Sequence, residues 1–69
     1  MEEEMPEKKR IIRLPEVIAR TGRSRSSIYA DMKCNAFPKP INLGARAVGW
    51  LEADVDAWIE GRIQKSRNA

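Results

Sequence analysis

Hydrogen-bond donors and positive charges are concentrated between residues 23 and 33 of the chain. Guanidinium and ammonium groups bind phosphates, and guanidinium and hydroxyl groups also bind the edges of bases. The chemistry that these groups offer is therefore recognition of an anion. The donors are Arg23, Arg25, Ser26, Ser27, Tyr29 and Lys33.

Catalytic and metal-binding chemistry finds few candidates elsewhere in the chain. There is no histidine, and Cys34 is the single cysteine, so an intrachain disulfide is excluded and a metal site would have only carboxylates to add. The sequence also contains no phosphate-binding glycine loop and no nucleophile–base pair. We therefore expect a protein that is not an enzyme and that uses no cofactor or metal. The unpaired thiol favours a reducing, cytoplasmic setting.

The net charge of +3 is distributed unevenly along the 69 residues. Four acidic residues occupy the first seven positions, whereas residues 8–46 carry ten Lys and Arg against two acidic residues, a balance of +8. Such a basic segment is expected of a surface that meets nucleic acid. No apolar run approaches the ~18 residues of a membrane helix, and the acidic start is unlike a signal peptide, so no membrane partner is expected.

Two short helices are predicted to position the donors. An extended segment at residues 11–14 leads into a first helix from Pro15 to Thr21, since proline suits a first helical turn and Gly22 allows a sharp exit. Ser24 is a good N-cap for a second helix that ends near Asn35. Two helices around a glycine turn form the helix-turn-helix pattern.

The second helix has an apolar side opposite its donors. Ile28 and Met32 are four residues apart and should both face the core. After the helix, Phe37–Pro40 cannot be helical because it holds two prolines. Apolar and polar residues then alternate in 41–43 and in 48–50, around a turn at 44–46, which predicts a two-stranded β-hairpin.

The hairpin needs helices to pack on, because two strands alone are marginally stable. We expect it to form a wing with Arg46 at its tip. A third helix is predicted from Leu51 to Lys65, with acidic residues at its start and basic residues at its end, as the helix dipole favours. The organisation predicted is a mobile arm at 1–10, one domain at 11–66 and a tail at 67–69. The aromatic residues expected in its core are Phe37, Trp50 and Trp58.

Six short motifs resemble, in order and spacing, the AlpA family of prophage transcriptional regulators. The motifs are Leu14–Val17, Thr21–Ser24, Ser27–Tyr29, Phe37–Pro40, Val48–Leu51 and Val55–Trp58. That family is similar to phage excisionases and to the DNA-binding domain of MerR-type regulators. The resemblance implies a mainly α, winged helix-turn-helix fold of three helices plus a two-stranded wing. It also implies binding to double-stranded DNA. Two positions depart from the family pattern: Arg23 stands where the family more often has an apolar residue, and Cys34–Ala36 stands where it more often has a glycine-containing exit.

On this fold, eight residues are expected to contact DNA. Arg25 and the serines after it begin the second helix, which enters the major groove first, and Arg46 suits the narrow minor groove. Lysines suit phosphates, as do Arg13 and Arg20 outside the set. The expected DNA-binding residues are Arg23, Arg25, Ser26, Ser27, Tyr29, Lys33, Lys39 and Arg46.

Structural roles compete with several of these assignments. Ser26 and Ser27 can be plain first-turn residues, and Tyr29 can be a rim residue packed on the wing. For Lys39, as for Arg13, an ordinary solvated charge is an equal alternative, since a third of the residues are charged.

Three functions follow for such a domain. The first is a sequence-specific transcriptional regulator that reads the major groove with its second helix, binding DNA as several copies. The second is an excisionase-type factor that bends DNA for a recombinase. The third is an adaptor that docks RNA polymerase or an integrase on the acidic face of its last helix. The acidic arm is expected to be either a solvated tail or a competitor of DNA for the basic face.

Overall fold

Three helices and a three-stranded antiparallel sheet make up residues 9–68, the part of the chain that this computed structural model describes. The mainly α architecture predicted from the sequence is confirmed. Residues 1–8, which include most of the predicted arm, and Ala69 of the predicted tail lie outside the described residues. The elements are β1 (Ile11–Ile12), α1 (Leu14–Thr21), α2 (Arg25–Lys33), β2 (Ile41–Asn42), β3 (Val48–Leu51) and α3 (Glu52–Arg67).

The sheet has the strand order β1-β3-β2, so the last strand in the chain lies in the middle. The predicted hairpin is present as β2 and β3, with Asn42 opposite Val48. The sheet has one strand more than the expected wing, because the extended segment before α1 pairs with the other edge of β3, Ile12 opposite Trp50. This third strand ties the wing to the entry of the domain.

The core lies between the helices and one face of the sheet. Trp50 is fully buried and Phe37 nearly so, as predicted. Trp58 is half-buried and meets Phe37 edge to face, with ring centroids 5.0 Å apart. Both indole N–H groups donate to backbone carbonyls, Trp50 to Pro38 at 3.0 Å and Trp58 to Ala36 at 2.7 Å, which fixes the segment between α2 and β2. The buried core residues are Ile12, Val17, Ile28, Phe37, Trp50 and Val55.

The turns on either side of α2 depend on two left-handed residues. Gly22 has a φ of 73° and its N–H donates to the carbonyl of Ile18, which ends α1 where the sequence predicted. Asn35 has a φ of 60°, a conformation that asparagine tolerates better than most residues. Asn35 therefore provides the left-handed exit after α2, and α2 itself ends at Lys33, two residues before the predicted end.

Candidate nucleic-acid interface

The exposed side of α2 carries a row of donors at four-residue spacing. Arg25, Tyr29 and Lys33 are exposed along one side of the helix, and Ile28 is fully buried on an adjoining side. Ser26 is exposed beside Arg25 in the first turn. We call Arg25, Ser26, Tyr29 and Lys33 the α2 stripe. It brings together four of the eight residues predicted to contact DNA.

Ser27 takes part in the N-terminal cap of α2. Its backbone N–H donates to Ser24 Oγ at 3.2 Å, and its own hydroxyl accepts a hydrogen bond from Ser24 at 3.0 Å. Ser24 is therefore the N-cap that the sequence predicted. The half-buried Ser27 therefore lies beside the α2 stripe, and its role is to complete the N-terminal cap of α2.

Arg23 contacts α2 through an acidic residue of that helix and is not part of the α2 stripe. Its Nη2 donates to Asp31 Oδ2 at 2.6 Å, and its side chain is 33% exposed. Its buried Nε has no hydrogen-bond partner among residues 9–68. The structure thus directs two of the guanidinium nitrogens toward the protein. The sequence offered little sign of this pair, because residues 23 and 31 meet only when the turn has formed.

The wing presents a separate cation. Arg46 is exposed in the turn between β2 and β3, where the N–H of Gly44 donates to Asn42 Oδ1 at 3.0 Å. Lys39 is exposed on the segment that leads into β2. Arg13 Nε donates to the carbonyl of Val48 at 2.9 Å. This bond fastens the start of α1 to the base of the wing and places an exposed guanidinium between them.

Arg20 belongs to a charge network and not to the α2 stripe. Its guanidinium pairs with Glu16, Glu52 and Asp56, and Arg10 pairs with Glu52 at 2.8 Å. Hydrogen bonds from Arg10 and then Arg20 lower the pKa of the Glu52 carboxyl below its ordinary value. The hydrogen bond to Glu52 likewise raises the pKa of each arginine. Arg20, a phosphate-contact candidate from its charge, is thereby committed to holding α1 against α3.

Other chemistry has little support in the described structure. Among residues 9–68, no group of three His, Cys, Asp or Glu side chains is placed to hold a metal ion. In the same range, no helix is long and apolar enough to cross a membrane. What the surface offers is donated hydrogen bonds and positive charge on α2, on the wing and between them.

A protein-family model and known proteins are similar to this chain. A family model described as prophage CP4-57 regulatory protein (AlpA) matches residues 10–63. The DNA-binding transcriptional activator AlpA of Escherichia coli K12 is 42% identical over 61 residues, which cover 80% of this chain and 87% of that protein. An uncharacterized protein of Enterobacteria phage P4, ORF88, is 44% identical over 54 residues, or 78% of this chain. The match spans 61% of the phage protein's length, which is less than two thirds.

Proposed function

The chain belongs to the AlpA family of prophage regulatory proteins, and from this premise we propose that it is a sequence-specific DNA-binding transcriptional regulator. The observation that carries the proposal is the exposed α2 stripe together with Arg46 on the wing. The cations of this surface, Arg25, Lys33 and Arg46, are exposed. By contrast, Arg10, Arg20 and Arg23 pair with carboxylates.

In the proposed complex, the N-terminal end of α2 enters the major groove. Arg25 bonds the two acceptors of a guanine, and Ser26 contacts an adjacent base or phosphate. Tyr29 lies one turn further along the helix and meets a thymine methyl or a phosphate. Lys33 is another turn on and neutralises a phosphate. Reading is thus assigned to the first turn of α2 and positioning to the rest of the α2 stripe.

The wing is proposed to contact the adjacent minor groove through Arg46, because a narrow minor groove has the most negative potential of the duplex. Lys39 and Arg13 bind phosphates at the base of the wing. The bond from Arg13 Nε to Val48 supports this assignment, since it holds the guanidinium in place before DNA arrives. The same geometry favours an excisionase-type bending factor as the second candidate, because side chains that enter the minor groove commonly accompany bent DNA.

A protein-interaction adaptor receives less support. The acidic start of α3 would form its docking face, yet Glu52 and Asp56 both pair with Arg20. Asp54 and Glu60 remain as exposed acidic residues of that helix. RNA polymerase or an integrase is therefore proposed as a partner of the DNA-bound protein, and not as its sole ligand.

Selection of binding sites from random DNA tests the proposal. The wild-type chain should select a consensus, and Arg25→Ala should relax one or two positions of it at a cost of ~1–3 kcal/mol in discrimination. Arg46→Ala should weaken binding most at sites with A·T-rich flanks. Arg25→Lys is the matched control, since it keeps the charge but loses the bidentate contact. If the wild-type protein enriches no consensus, the sequence-specific assignment is wrong.

Bending separates the two candidates. Circularly permuted DNA fragments carrying the selected site should migrate alike if the protein is a regulator that leaves the duplex nearly straight. A strong dependence of mobility on the position of the site would favour the architectural candidate.

A further inference from the structure

A groove of about 380 Å³ lies between the end of α1 and the last turns of α3. It forms because α3 has 16 residues and α1 has 8, so α1 cannot cover the whole length of the longer helix. The groove is lined by residues of these two helices and by Arg23, which lies in the turn before α2. Within residues 9–68, its lining includes no member of the α2 stripe. We call it the α1–α3 groove.

The floor of the α1–α3 groove is apolar. Trp58 and Ile59 line it and are half-buried where they pack against the core. Ile63 lies one turn beyond Ile59 on the same side of α3, and 39% of it is exposed. The last turns of α3 therefore leave apolar surface uncovered beside the side chains that pack on the core.

The charged residues that line the groove are all arginines: Arg20, Arg23, Arg62 and Arg67. Arg20 and Arg23 are held by carboxylates that do not line the groove. Arg62 and Arg67 form no ion pair with any other residue of the range 9–68. The guanidinium carbon of Arg62 lies 5.1 Å from the centre of the Trp58 ring, so this cation sits over the apolar floor. The groove is thus apolar at its floor and positive at its rim.

Charge and apolar surface together determine which partner fits. A wholly apolar ligand would remove the guanidinium groups of Arg62 and Arg67 from water without giving them a partner, which costs free energy. A nucleic-acid backbone would pair with the arginines but would leave Ile63 uncovered. A peptide that carries both carboxylates and large apolar side chains satisfies both requirements. Carboxylates accept paired hydrogen bonds from arginine, and an amphipathic helix lays its apolar side into a groove.

We propose that the α1–α3 groove docks an acidic amphipathic helix of another protein. The site uses the apolar and basic side of α3, whereas the adaptor considered above would use its acidic residues. Three apolar side chains make a small contact, well below the ~1,200–2,000 Å² that stable complexes bury. The complex is therefore weak, and added salt weakens it further by screening the arginines.

Fluorescence anisotropy with three labelled synthetic peptides tests the proposal. The first is a helix of leucine and glutamate with the leucines on one side, the second has lysine in place of glutamate, and the third has serine in place of leucine. The full chain should bind the first peptide at least about tenfold more tightly than either of the others, since each of those lacks one half of the complementarity. In NMR spectra, the indole N–H signal of Trp58 should shift on binding, and that of the fully buried Trp50 should stay in place.

Two pairs of variants locate the contact. Arg62→Glu should weaken binding of the leucine–glutamate peptide by at least about tenfold, because like charges then meet. Lys9→Glu is its control, since it makes the same change in charge beside Arg10, whose carbonyl contacts the start of α3, and should change the affinity by less than about twofold. Ile63→Gln should weaken binding about fivefold by removing part of the apolar floor. Val48→Gln is the second control, because 38% of Val48 is exposed on β3, outside the groove. Circular dichroism verifies that each variant is folded.

Several results would overturn the proposal. Failure of the leucine–glutamate peptide to bind, equal binding of the serine–glutamate peptide, or wild-type affinity in both Arg62→Glu and Ile63→Gln would each do so. Displacement of the peptide by an equimolar DNA duplex would assign the groove to nucleic acid instead. Peptide binding that arises only after deletion of residues 2–7 would identify the chain's own N-terminal segment as the occupant.

Discussion

Arg23 illustrates how one partner changes the role of a side chain. By type and position it belongs with the donors of α2, yet its pair with Asp31 turns it along the helix. Its charge is neutralised locally by Asp31. A residue can therefore be part of a basic segment without being part of the surface proposed to read DNA.

Asp31→Asn should change binding and stability in opposite directions. Removing the carboxylate frees the guanidinium of Arg23, so affinity for DNA should rise and the salt dependence should steepen by about one phosphate contact. The free energy of unfolding should fall by about 1 kcal/mol or less, as expected for a partly exposed ion pair. Binding titrations at several salt concentrations and urea denaturation measure the two effects. An unchanged salt slope would mean that Arg23 acts only on the turn.

Gly49 is the glycine whose space is most restricted. Gly49→Ala should lower the free energy of unfolding by ~1–3 kcal/mol, because its methyl group would meet Ile11 Cγ2 at 2.5 Å and the backbone oxygen of Ile12 at 3.0 Å. Gly44→Ala is the control, since nothing lies within 4 Å of a Cβ there. It should change stability by no more than ~0.5 kcal/mol in the same thermal or urea denaturation. Equal effects of the two substitutions would contradict the close approach at Gly49.

At the scale of elements, the sequence was informative where the signals are local. Gly22 ends α1 and Ser24 begins α2 through hydrogen bonds within a few residues, as predicted. Pro15 suits the first turn of α1 because no N–H partner is needed there, and the helix begins one residue before it, at Leu14. The pairing of Ile12 with Trp50 is different in kind. It depends on the whole fold bringing distant segments together, so only a possible extended segment could be inferred.

In the candidate site, too, local features could be predicted from the sequence and contacts between elements could not. Helical periodicity is sufficient to place Arg25 and Lys33 on one side of α2. It cannot show that Arg20 meets Glu52 or that Arg13 meets Val48, because those contacts join different elements. Of the basic residues considered for DNA contact, the sequence therefore identified the exposed ones on α2 but not those committed to the fold.

The exit of α2 offers a test at this scale. Asn35→Ala should reduce the free energy of unfolding by roughly 1–2 kcal/mol, because alanine adopts the left-handed conformation at greater cost. Asn35→Gly should be at least as stable as the wild type, since glycine has no such cost. Thermal denaturation of the two variants provides the comparison. A stable Asn35→Ala protein would show that the left-handed turn is dispensable.

At the scale of the molecule, the charge network joins the entry of the domain to both α1 and α3. Glu52 is its shared carboxylate, since Arg10 and Arg20 both bond it. The N–H of Glu52 also donates to the carbonyl of Arg10 at 2.8 Å. The first residues of the domain are therefore held by side-chain and backbone contacts to the start of α3.

This network should make the free energy of unfolding depend on pH. The folded protein lowers the pKa of Glu52, so the stabilisation is present above the ordinary glutamate value of 4.5 and is lost as pH falls through the lower folded value. Glu52→Gln should therefore be less stable than the wild type at neutral pH. Urea denaturation from pH 7 to pH 3 should show the two proteins converging in acid. A gap that stays constant with pH would exclude titration of Glu52 as its source.

The central place of β3 also fixes when the domain can be completed. Ile11 pairs with Leu51, and both edge strands pair with β3, so neither can join the sheet until β3 has been synthesised. A chain emerging from the ribosome presents its N-terminus first, so Ile12 and Val17 remain without their partner Trp50 until most of the protein has been synthesised. The slow step of folding should therefore be this non-local closure of the sheet, although the three helices need only local contacts to begin.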